Sequence, residues 1–159
     1  MHEIILTDTE DMRQQFKPNP IKVLFVGESA PVNETFFYRA NSQAYRYMKQ
    51  AFGDPDDFLK HFKGRGFFLD DLVLSPVNHL TPAQRRQQCE DAIPSLAERL
   101  SIYRPLVVVS LMLAIEDMVE AAINQAGLYS AAHCSVPFPG TGQQNRFLEK
   151  MAAIIPQLP

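Results

Sequence analysis

The sequence predicts an α/β fold of three layers, α/β/α, built on a four-stranded parallel central sheet. Three observations carry this. Four short apolar runs lie along the chain, closed off by Gly, Pro or Ser. Segments with apolar residues at helical spacing separate them. The clearest runs are continuously apolar rather than alternating, as expected of strands covered on both faces by helices.

Residues 1–20 read as an N-terminal extension. Ile21–Val26 (IKVLFV) is the first strand, set between Pro20 and Gly27. Ala44, Tyr47, Met48 and Ala51 share one face of a helix over Asn41–Phe52, and Gly53 stands where a C-cap favours glycine. Asp54–Phe62 is a second short helix. Gly66 opens FFLDDLVL, a strand that Pro76 ends, with Asp70 and Asp71 interrupting its apolar run. Alternation directs one of these two carboxylates outward at the sheet edge.

Thr81-Pro82-Ala83-Gln84 has the spacing of a capping box with Pro at the first helical position. Pro94 should kink or restart that helix, and Arg104-Pro105 ends it. Leu106–Val109 is the third strand. Met112–Ala126 is a helix with Ile115, Met118, Val119, Ala122 and Ile123 turned inward, stopped by Gly127. A weaker fourth strand lies around Ala131–Val136, and a helix over Gln143–Ile155 closes the chain.

With 159 residues, the chain fits one domain at about 100–200 residues per domain. An apolar share of 46% against 21% charged residues is ordinary globular composition and argues against disorder. Cys89 and Cys134 are too few and too far apart for a four-thiolate metal or iron–sulfur site or a disulfide framework. They suit a reducing cytoplasm. His79 and His133 have no partner spacing suggesting a metal, and no cofactor motif is present. The longest apolar stretch, Leu106–Ile115, is about half a membrane span. The acidic start MHEIILTDTEDM lacks a basic n-region, so neither membrane insertion nor export is expected. A net charge of −3 weighs against tight nonspecific nucleic-acid binding. Arg39, Arg46, Lys49, Lys60, Lys63 and Arg65 could still contact phosphates locally.

In an open parallel sheet, ligands collect beyond the carboxyl ends of the strands. Three segments therefore matter: Gly27–Asn41, Asp70–His79 and Phe138–Arg146. The first is long for a strand-to-helix connection, a feature common to functional loops. Glu28 either works on a ligand or pairs with a nearby cation. Phe37 is either core or cleft wall, since Phe36, Phe37 and Tyr38 cannot all point inward from an extended strand. Asp70 and Asp71 either read a ligand or cap a loop. Gly27-x-Ser29-x-Pro31 also suggests a Ser29 nucleophile completed by His133 or His79 with Asp71. Pro31 and the long loop after it fit a nucleophile elbow poorly.

These residues carry a resemblance. VLFVGESAP, followed by ETFFYRANSQAYRYMKQAFG, resembles the first motif and following helix of the uracil-DNA glycosylase superfamily. FFLDDLVLSPVN is similar to that superfamily's second central strand, RPLVVVSL to its third, and FPGTGQQNRF to its last functional loop. The likeness runs from about Ile21 to Pro156 and preserves the order of the motifs.

The resemblance implies hydrolysis of the N-glycosidic bond of a damaged or deaminated base in DNA. Glu28, beside Gly27 and Ser29, falls where a polar residue positions water. Phe37 falls where an aromatic ring stacks on the extruded base. Asp71, or alternatively Asp70, stands in place of an Asn that reads the base edge. Phe138-Pro139-Gly140 stands in place of a His-Pro-Ser type loop, with Gln144 and Asn145 among the donors available beyond it. Preorganised donors aimed at developing charge are each worth about 3–4 kcal/mol. The departures are specific. Phe138 replaces the His, Asp replaces the Asn, and the cysteines of the iron–sulfur branch are absent. An acceptor-only carboxylate prefers a base edge rich in N–H donors, such as guanine or protonated cytosine. The alternative is an altered or inactive member that binds a nucleobase, a nucleotide or a protein partner without cleavage.

Overall fold

The computed structural model describes residues 2–30 and 35–159. Helix α1 (His2–Gln15) precedes β1 (Val23–Gly27), and α2 (Gln43–Ala51) and α3 (Phe58–Gly64) lead to β2 (Phe67–Asp71). Next come α4 (Pro82–Asp91), α5 (Ile93–Tyr103), β3 (Val107–Ser110), α6 (Glu116–Gln125), β4 (Ala132–Ser135) and α7 (Gln144–Ile154). The strands are all parallel, in the order β2-β1-β3-β4, and form the central layer of a three-layer α/β/α fold. Helices α2 and α7 pack together, as do α5 and α6. Val23 to Val26 are fully buried in β1, as their continuous apolar run requires.

Local signals place the helix boundaries. Ser42 caps α2, its hydroxyl accepting from the Tyr45 N–H at 3.1 Å. Gly53 follows α2 at φ +88°, a conformation that side chains with a Cβ avoid. The capping box forms as its spacing predicts. Thr81 Oγ1 accepts from the Gln84 N–H, and Gln84 Oε1 accepts from the Thr81 N–H, both at 3.2 Å. Pro94 restarts rather than kinks the helix, separating α4 from α5.

Several expectations need correction. The helix expected from Met112 starts only at Glu116, after a 3-10 turn over Leu113–Ile115. The expected strand FFLDDLVL pairs only through Asp71. Phe36, Phe37 and Tyr38 are all buried, at 2%, 4% and 4% exposure. Only Phe36 is extended: Phe37–Arg39 forms a 3-10 turn ending at Ala40 with φ 60°, so consecutive rings no longer alternate between two faces. The Phe37 ring lies in an aromatic cluster, 5.7 Å from Phe62 and 6.0 Å from Tyr45 between centroids.

An edge strand exposes unpaired backbone groups, and β2 is the edge where two acidic residues sit. The buried Tyr38 hydroxyl serves both groups of Leu69, donating to its carbonyl at 2.8 Å and accepting from its N–H at 2.7 Å. Arg99 donates to the carbonyls of Asp71 at 2.7 Å and Leu72 at 3.0 Å.

Neither carboxylate of the pair points into solvent. Asp70 and Asp71 are 1% and 5% exposed, because α1 delivers a cation to both. Arg13, itself 3% exposed, lies 2.9 Å through Nη2 from Asp71 Oδ2 and 3.4 Å through Nε from Asp70 Oδ1. Arg99 completes the cluster, 3.0 Å from Asp70 Oδ2. Burial acts to lower the Arg13 pKa, but Asp71, Asp70 and Glu10 outweigh it and leave it raised.

Removing one partner of a buried charge cluster leaves the rest uncompensated. Arg13→Met should therefore lower the free energy of unfolding by about 3–5 kcal/mol, measured by urea denaturation. A change below about 1 kcal/mol, the scale of exposed ion pairs, would show that α1 does not hold this edge.

Candidate functional site

The segments that leave the carboxyl ends of all four strands close around a cleft of about 510 Å³. Gly27, Glu28, Ser29 and Ala30 enter it from β1, Leu69 and Asp71 from β2, Leu111 and Met112 from beyond β3, and Phe138 from beyond β4. Phe36, Phe37 and the start of α2 close one side, and Asn78 and Arg85 contribute polar groups. This is the location expected of a ligand in an open parallel sheet, in a size range suited to a small molecule.

Six of the sequence-predicted residues therefore share one cleft: Gly27, Glu28, Ser29, Phe37, Asp71 and Phe138. Phe37 serves both readings, buried in the aromatic cluster while also forming part of the wall. Pro31 of the first motif lies outside the described residues. Asp70, Pro139, Gly140, Gln144 and Asn145 do not line the cleft. Asp70 is occupied by Arg13 and Arg99, and the Tyr103 hydroxyl donates to its Oδ2 at 3.4 Å. Pro139 is buried and Asn145 exposed. The turn over 140–143 satisfies part of its own backbone, because the Gly140 N–H goes to the Phe138 carbonyl at 2.8 Å and the Gln143 N–H to that of Gly140 at 2.9 Å.

Glu28 is engaged by Arg85, a residue the sequence did not single out. Arg85 Nε lies 3.0 and 2.9 Å from the two carboxylate oxygens, and its Nη2 also donates to Oε1. That hydrogen bond raises the Arg85 pKa. The Cys89 thiol points at Glu28 Oε2 from 3.7 Å, and burial together with this carboxylate pushes its pKa up to about 11. Glu28 thus stands on the cleft wall with an arginine fork already holding both oxygens.

Asp71 is the other carboxylate of the cleft. Its own N–H donates to Asp70 Oδ1 at 2.8 Å, its carbonyl accepts from Arg99, and its Oδ2 accepts from Arg13. Among the described residues, Oδ1 takes no hydrogen bond. It lies beside Gly27, only 2.7 Å from where a Cβ on that glycine would stand. Burial raises the Asp71 pKa from 3.8 to about 6, with Arg13 pulling it down and Asp70 pushing it up.

The Ser29 hydrolase expectation lacks its base, because no histidine lines the cleft. His79 is exposed, and His133 is committed elsewhere. Its Nε2 lies 2.8 Å from the fully buried Ser110 hydroxyl and its Nδ1 2.5 Å from Glu120, a chain that ties β3, β4 and α6 together. Among the described residues, no group of three or more His, Cys, Asp or Glu is placed to hold a metal, and no helix is long and apolar enough to cross a membrane.

The predicted basic residues divide. Lys63 donates to the Gln15 carbonyl at 2.9 Å, and the Arg65 guanidinium stacks 4.5 Å over the Phe67 ring. Arg46 and Lys49 instead flank a shallow depression of about 250 Å³ that shares Ser42 with the cleft. The missed residues with the largest effect are Arg13, Arg85 and Arg99. The two adjacent acids inside a buried run were the signal that cations had to reach them, but nothing in the sequence says which.

Gly27→Ala should drive Asp71 from its position or destabilise the protein by about 1–3 kcal/mol, as overpacking does. A crystal structure with Asp71 unmoved and unchanged unfolding would refute the close approach. A carboxyl with a higher pKa folded than unfolded binds protons more tightly in the folded state. The stability Asp71 contributes is therefore fully present below pH 3.8 and is lost as pH rises through about 6. Relative to Asp71→Asn, wild-type stability should fall from about pH 4 to about pH 7, by up to about 3 kcal/mol. Parallel urea-unfolding profiles for the two proteins would rule this out. Set against known proteins, the chain matches no protein-family model and no curated protein.

Proposed function

We propose that the cleft receives a single nucleobase and that the protein is a DNA glycosylase-like enzyme, hydrolysing the N-glycosidic bond of a damaged or deaminated base. One observation carries the reading. Three segments distant in sequence bring Glu28 and Phe37, Asp71, and Phe138 to one cleft, the four positions that the likeness to uracil-DNA glycosylases assigns to the work on a base.

The chemistry suits the residues. An enzyme acting on a base extrudes it and reads it by stacking and edge hydrogen bonds. Phe37 and Phe138 supply apolar walls, and Asp71 supplies an acceptor at the floor. In the reaction the bond from C1′ to the base nitrogen breaks and its electron pair leaves with the base. Water adds its oxygen to C1′, and the proton it sheds passes through Glu28 and solvent to the departing base. Arg46 and Lys49, beside the cleft, would meet the backbone phosphates.

A second reading is base binding without cleavage, and the Arg85 fork on both Glu28 oxygens favours it. A carboxylate so held has less capacity left for a water. Single- and double-stranded DNA carrying uracil, hypoxanthine or xanthine, assayed for abasic sites, separates the two. The glycosylase reading expects product with at least one lesion, and a rate falling about 100-fold or more in Glu28→Gln. No product with any lesion, alongside saturable nucleoside binding, establishes the second reading. Neither product nor binding overturns both.

A further inference from the structure

We propose that the cleft selects a purine with a guanine-type edge, Asp71 accepting hydrogen bonds from the ring N–H and the neighbouring exocyclic amine, with Arg13 as its positioning residue. This rests on the base-binding reading and goes further, because it names the edge.

Asp71 is 95% buried by its 5% exposure, yet it forms part of the cleft lining. Every other polar group of the residue is committed. Its N–H goes to Asp70, its carbonyl to Arg99 and its Oδ2 to Arg13. Only Oδ1 takes no hydrogen bond among the described residues, and it packs against the cleft-lining Gly27, 2.7 Å from where a Cβ would stand. Asp71 lines the cleft, so a ligand that offers N–H donors there can add the hydrogen bonds this oxygen still accepts. Arg13 does not line the cleft, so it fixes the carboxylate from behind without blocking it.

A carboxylate accepts and, when ionised, cannot donate. The pyrimidine edge of uracil sets its ring N–H between two carbonyl acceptors, which a carboxylate repels. Adenine presents a ring acceptor at the matching position. Guanine presents a ring N–H next to an amine, two donors side by side for one carboxylate. The cleft's volume of about 510 Å³ accommodates a purine.

The test is equilibrium binding of 2′-deoxyguanosine, 2′-deoxyinosine, 2′-deoxyuridine and 2′-deoxyadenosine to the full chain. Wild type should bind deoxyguanosine about 10- to 100-fold more tightly than deoxyuridine or deoxyadenosine, with deoxyinosine between, since it lacks the amine. Asp71→Asn, which gains a donor, should exchange this preference toward deoxyuridine, a reversal that a merely structural Asp71 would not produce.

If that variant fails to fold, pH gives the same information on wild type. Arg13, Asp70, Arg99 and Tyr38 act on the carboxyl, with Glu10 paired to Arg13 behind it, and burial leaves it titrating near 6. Deoxyguanosine binding should tighten severalfold as pH rises through this value, while deoxyuridine binding does not. Equal binding of deoxyuridine and deoxyguanosine overturns the guanine edge while base binding survives. Absence of binding by all four nucleosides overturns the base-binding reading itself.

Discussion

Two carboxylates, Asp70 and Asp71, end the edge strand β2 inside the protein rather than at its surface, and much of the surrounding structure follows from neutralising them. Desolvating a carboxylate costs several kcal/mol unless cations and donors replace the lost water. Arg13 arrives from the N-terminal helix and Arg99 from α5, so this cluster joins three segments distant in sequence. Arg99 also covers the open backbone of the strand end, while Tyr38 covers Leu69. The same contacts that protect a sheet edge therefore fix the floor of the cleft. A one-residue slip of β2 would move both acids away from their cations and reverse the faces of the strand.

The cleft has a divided electrostatic character. On one wall Glu28 is matched to Arg85, a bidentate pair at the opening that α4 positions through the capping box at Thr81. On the floor Asp71 is held by Arg13 through Oδ2, while Oδ1 packs against Gly27. Between them the lining is apolar, with Phe36, Phe37, Leu111, Met112 and Phe138. A flat, largely apolar ligand with hydrogen-bonding groups along one edge satisfies all three regions, and a nucleobase has this form. Held carboxylates are preorganised, which favours recognition, but they have fewer free lone pairs, which limits work on water. That tension is the physical origin of the two functional readings.

Several elements were legible because their causes are local. The capping box at Thr81, the Pro94 restart and the strands with buried runs at Val23–Val26 and Val108–Ser110 follow from hydrogen bonding, ring geometry and apolar runs that span a few residues. The convergence of Glu28, Asp71 and Phe138 was legible as well, because ligands gather at the carboxyl ends of parallel strands. What failed were statements about direction. Phe36, Phe37 and Tyr38 were assigned the alternation of a strand, and a 3-10 turn removed it. Pro139, Gly140, Gln144 and Asn145 were assigned to the site with Phe138, and they lie outside the cleft lining.

The sequence by itself determined the layers, the four strands and the end of the sheet where a ligand belongs, because periodicity and turn chemistry act over a few residues. Only the tertiary structure decided the electrical state of that end. Arg13, Arg85 and Arg99 lie 58, 57 and 28 residues from the acidic residues they serve. No periodicity links partners so far apart. Which carboxylate is held, and from which side, is fixed only when α1, α4 and α5 pack around the carboxyl ends of β1 and β2.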